Sequence, residues 1–67
     1  MDHVLEQVLV LKKAIALASA QHSEALREVA LLRAEQNRVT LPKALRVVNL
    51  IECEISYLQG ELRRRLH

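Results

Sequence analysis

Apolar positions recur in alternating steps of four and three along Val4, Val8, Leu11, Ile15, Ala18, His22, Ala25, Val29, Leu32, Gln36 and Val39. A 3.5-residue repeat held over about five heptads is the pattern of a helix packed lengthwise against another helix. No Pro or Gly interrupts it, so the pattern predicts one helix over about 2–38. Asp2 would complement the positive end of its dipole, and Ser19 and Ser23 beside Gln21-His22 mark the one place where it would bend. A second seam follows in Leu41, Ala44, Val48, Ile51, Ile55, Leu58, Leu62 and Arg65, predicting a helix over about 41–66. Between the two, Asn37 is suited to the left-handed conformation that ends a helix, Thr40 to an N-cap and Pro42 to the following first turn.

Two helices joined by one short turn predict an all-α antiparallel hairpin, a single domain over 1–67. With a turn over about 39–41, folding back would face Leu32 with Val48, Val29 with Ile51, Ala25 with Ile55, His22 with Leu58 and Ala18 with Leu62. Small side chains then oppose large ones, as interdigitated packing requires. In that register the second helix stops short, and the first dozen residues project as an apolar overhang of Val4, Leu5, Val8, Leu9, Val10 and Leu11. A second ridge of Leu5, Leu9, Ala16 and Ala20, flanked by Leu17 and Leu31, points away from the hairpin. A contiguous exposed apolar patch marks an interaction site.

Composition supports a helical chain that needs a partner. The 67 residues are half apolar but include no Phe or Trp, with one Tyr, one Gly and one Pro. A chain this short buries only roughly 60% of its unfolded surface, and similar natural chains add disulfides, metals or partners. Cys53 is the lone cysteine, which excludes an internal disulfide, and His3, His22 and His67 lie far apart without ligand-spaced companions. Association with a protein partner or a second copy is what remains. The apolar run before Ala16-Leu17-Ala18-Ser19-Ala20 imitates a signal peptide. However, Asp2 and Glu6 stand where a basic leader belongs, and Lys12 and Lys13 interrupt the run. The expectation is a cytoplasmic chain that does not insert into membranes.

The candidate chemistry is sparse. His22 sits on the seam, where a partly exposed or hydrogen-bonded core histidine is expected, with a register or pH-sensing element as the alternative. Leu50, Cys53 and Tyr57 form a minor stripe on the second helix, either the shoulder of the core or a partner contact. Arg63, Arg64 and Arg65 gather near Lys12 and Lys13, and Arg33, Arg38, Lys43 and Arg46 gather around the turn. With a net charge of +2 and no interleaved aromatics, these read as solvated faces and dipole complements. Glu61 pairs favourably with Arg64 and Arg65. One Asp, no glycine-rich phosphate loop and no Ser/His/acid set leave no catalytic, cofactor or metal site to assign.

In size, two-helix architecture and apolar surplus, the chain resembles the small helical-hairpin co-chaperones of type III secretion needle subunits. That resemblance implies a protein that joins a larger chaperone to keep a polymerising subunit soluble. The expected function is therefore a non-enzymatic assembly factor binding a partner through Val4, Leu5, Val8, Leu9, Leu11, Ala16, Leu17 and Tyr57. The alternative is a homodimeric helical-bundle regulator that binds nucleic acid through its arginine clusters.

Overall fold

The computed structural model describes residues 3–66, so Asp2 and His67 lie outside the described residues. Helix α1 spans His3–Ala34 and helix α2 spans Leu41–Leu66, folded back on each other as an all-α hairpin with no strand among the described residues. Its extents are 53 × 14 × 12 Å. At 1.5 Å per residue, the 32 residues of α1 account for about 48 Å of that length. The hairpin is a single layer of helices, and its core is correspondingly thin. Val8, Ala18, Val29, Leu32 and Val48 are buried, while Ala25, Ile51, Ile55, Leu58 and Leu62 on the same seams are half-buried. α1 runs unbroken through Ser19 and Ser23.

The loop departs from expectation in a way that resets the register. α1 ends at Ala34 rather than near residue 38, and Gln36, not Asn37, takes the left-handed conformation with φ 58°. The Gln36 N–H donates to the Arg33 carbonyl at 3.1 Å, and the Asn37 N–H donates to the Leu32 carbonyl at 2.9 Å. This pair of bonds is a Schellman motif, which satisfies carbonyls that the end of a helix leaves free. Asn37 then caps the turn that leads into α2. Its Oδ1 accepts from the Thr40 N–H at 3.0 Å, and its carbonyl accepts from the Leu41 N–H at 3.2 Å. Thr40 contributes its carbonyl to the Ala44 N–H at 3.1 Å, and the side-chain acceptor is Asn37. Pro42 occupies the first turn of α2, where its missing N–H costs nothing. Val39, expected at the end of the seam, is a loop residue that is 84% exposed.

Because the loop covers 35–40, the fold-back point lies about three residues earlier than expected, which slides the opposing residues by about one heptad. Ala25 lies beside Val47 and Ile51 instead of Ile55. His22 lies beside Glu52 rather than Leu58. Leu32 lies beside Leu41, and at the open end Leu11 lies beside Arg65. The same seam residues meet in both registers, since a heptad shift maps a seam onto itself. The shift carries the end of α2 alongside Val8 and Leu11, so the long overhang does not exist. Only the first turn or so of α1 projects.

Candidate protein-binding surface

The eight residues expected to bind a partner fall into two groups. Val8 is 7% exposed and belongs to the core, and Leu11 is half-buried beside Arg65. These two are corrections to the expected site: the heptad shift brings α2 over them. Val4, Leu5, Leu9, Ala16, Leu17 and Tyr57 remain exposed on the folded hairpin. Tyr57 is 65% exposed and Leu50 69%, and Cys53 is exposed too, so this stripe on α2 faces outward and is no shoulder of the core.

The exposed apolar surface extends beyond those positions. Val10, Leu26 and Leu31 on α1, and Leu45, Val47 and Leu66 on α2, are also exposed. Leu26, Leu45, Val47 and Leu66 lie one position off the two seams, so the 3.5-residue repeat by itself does not mark them. The heptad assignment that defines those seams also places these four beside them, which was the available signal. A leucine left largely in water forgoes much of the roughly 1.5–3 kcal/mol that full burial would contribute. No large side chain anywhere in the described chain is wholly enclosed.

The exposed apolar groups divide between the two broad sides of the hairpin. On one side a shallow groove between the helices is lined by Gln21, Glu24, Ala25, Glu28, Val47 and Ile51. Its floor is low because Ala25 contributes only a methyl group. Val10, Leu17 and Leu31 stand at heptad spacing from Glu24 and share its column on α1. Leu50 and Tyr57 follow Val47 at steps of three and seven and share its side of α2. The opposite side carries Leu5, Leu9, Ala16 and Leu26 on α1 with Leu45 and Leu66 on α2, interrupted midway by Ser19, Ser23, Asn49 and Ser56.

Polar contacts across the hairpin are few. The His22 Nε2–H donates to Glu52 Oε2 at 3.0 Å, a tautomer assigned from the bond itself. Both groups are solvent-accessible, and such exposed pairs contribute at most about 1 kcal/mol. Arg65 and Arg64 lie 3.2 and 3.7 Å from the Glu61 carboxylate, the expected pairs, at the end of α2 where positive charge suits the dipole. Among the described residues no three His, Cys, Asp or Glu side chains gather to hold a metal ion, and no helix is long and apolar enough to cross a membrane. No protein family, curated protein or solved structure matches this chain.

Proposed function

We propose that this chain is a small non-enzymatic assembly factor that holds a protein partner against apolar side chains of its hairpin, chiefly those of α1. One observation carries the reading: the hairpin buries five apolar residues and leaves more than twice as many large ones in water, among them Val4, Leu5, Leu9, Leu17 and Tyr57. Soluble monomers rarely expose contiguous apolar patches beyond a few hundred Å², and larger ones mark interfaces. Size, two-helix form and apolar surplus together favour the role of a cytoplasmic co-chaperone of a type III secretion needle subunit. In that role the side of the hairpin bearing Leu5, Leu9 and Ala16 accepts an amphipathic helix of the client or of a larger chaperone.

The test is co-expression with the needle subunit and larger chaperone of its own cell, followed by gel filtration. The wild-type chain is expected to co-elute with a soluble subunit. Leu5→Asp with Leu9→Asp should lose the complex while keeping the helical circular-dichroism signal, since both side chains already face water. Absence of any complex with the wild-type chain would overturn the co-chaperone reading.

A further inference from the structure

The side of the hairpin that bears Leu5, Leu9 and Ala16 carries cations as well as leucines. Its heptad columns place Lys12 seven residues after Leu5 and three after Leu9, and Arg63 three before Leu66. Arg65 lies beside Leu11, so the end of α2 that holds Arg63 and Leu66 runs alongside Leu5 and Leu9. Leu5, Leu9 and Leu66, each more than half exposed, thus share one patch with Lys12 and Arg63. From Leu5 to Ala16 the patch covers about 16 Å, or three turns of helix.

The two cations of the patch have no counterpart within the hairpin. Lys12 and Arg63 form no ion pair among the described residues, whereas Arg64 and Arg65 lie against the Glu61 carboxylate. Glu61 stands in the column of Val47 and Glu54 on the other broad side, and Glu6 lines a cleft there with Gln7 and Val10. On the patch's own side the one helical carboxylate is Glu52, about 16 Å along α2 from Arg63. Glu52 is already engaged by His22 at 3.0 Å. Lys12, Arg33 and Arg63 therefore face a single acid on this side. The other side has the opposite balance, with Glu24, Glu28, Glu54 and Glu61 against Lys43 and Arg64.

We propose that the partner seated on Leu5, Leu9 and Leu66 is an acidic amphipathic helix of another protein, with its apolar stripe on the leucines and its carboxylates on Lys12 and Arg63. The proposal rests on the reading that this side accepts a helix, and it names the charge of that helix. Charges at the rim of an apolar contact select a partner of opposite sign and speed its approach. A basic helix would meet Lys12 and Arg63 with like charge. An anionic bilayer fits less well, because segments that bind acidic lipids present four to eight cations and this patch presents two. The polar centre at Ser19, Ser23, Asn49 and Ser56 also confines the contact to three turns, a length that suits a helix lying across the open end.

The experiment measures binding of the whole chain to two labelled helical peptides of about five turns by fluorescence anisotropy. Both carry a leucine stripe, flanked by Glu in one and by Lys in the other. The Glu peptide should bind about tenfold tighter than the Lys peptide, with a preference that shrinks as salt rises. Lys12→Glu with Arg63→Glu should reverse the preference, and Leu5→Asp with Leu9→Asp should lose both peptides. Failure of the Glu peptide to bind, equal binding of the two, or an unchanged preference in the Lys12→Glu, Arg63→Glu chain overturns the proposal. Sedimentation with phosphatidylserine vesicles without any preference between the peptides overturns it in favour of a membrane. The co-expression test separates this inference from the reading beneath it. A client complex that survives Lys12→Glu with Arg63→Glu overturns the inference alone, and a missing client complex beside an intact peptide preference overturns the co-chaperone role alone.

Discussion

The register of the hairpin is open to a direct test, because the two registers compatible with its seams differ by a whole heptad. The pairing of Ala25 with Val47 and Ile51, of His22 with Glu52 and of Leu11 with Arg65 puts Leu62 opposite Leu11, whereas the alternative register puts it opposite Ala18. A seven-residue displacement along a helix is about 10.5 Å. A disulfide requires Cα atoms about 4.4–6.8 Å apart, so a single pair of cysteines serves only one register. In a Cys53→Ser background, Leu11→Cys with Leu62→Cys should oxidise within one chain, and Ala18→Cys with Leu62→Cys should not. The bridge closes a loop of about 50 residues and, by the chain-entropy relation, stabilises the fold by about 4 kcal/mol. The assay is oxidation at low protein concentration, scored by mass and thiol titration, followed by urea unfolding of the oxidised and reduced forms. Ready closure of the 18–62 pair together with failure of the 11–62 pair would refute the register and the placement of Val8 in the core.

Other predictions probe the loop and the division between core and surface. Gln36→Gly relieves a left-handed residue whose side chain is exposed and should stabilise by about 1 kcal/mol, raising the melting temperature by several degrees. Asn37→Ala removes the side-chain acceptor for the Thr40 N–H and should cost about 0.5–2 kcal/mol in urea unfolding. A Cβ added at Gly60 meets nothing within 4 Å, so Gly60→Ala should stabilise by about 0.5–1 kcal/mol, and a loss would show that the glycine has a backbone role. Val8→Asp should unfold much of the hairpin, whereas Leu9→Asp should leave helical content and melting temperature nearly unchanged. Equal effects would show that the two side chains share one environment.

The periodicity of the chain was enough to determine two helices, the residues on each seam and the position of the turn to within a few residues. A 3.5-residue apolar repeat has one physical solution, a helix laid along another, and the burial of Val8, Ala18, Val29, Leu32 and Val48 on those seams follows from it. The lone Pro and the Thr40-Leu41 boundary were equally legible, because a missing N–H is harmless only in the first turn. What periodicity left undetermined is the register, since a seam with a seven-residue repeat looks the same after a slide of seven. Only the tertiary structure decided it, through the Schellman bonds at Gln36 and Asn37 that end α1 at Ala34. That choice placed Val8 and Leu11 against α2, removed the overhang, and left Tyr57 exposed on the outer side of α2. Hydrogen bonds at a few backbone atoms in the loop thus select among packings that the side-chain pattern makes nearly equivalent.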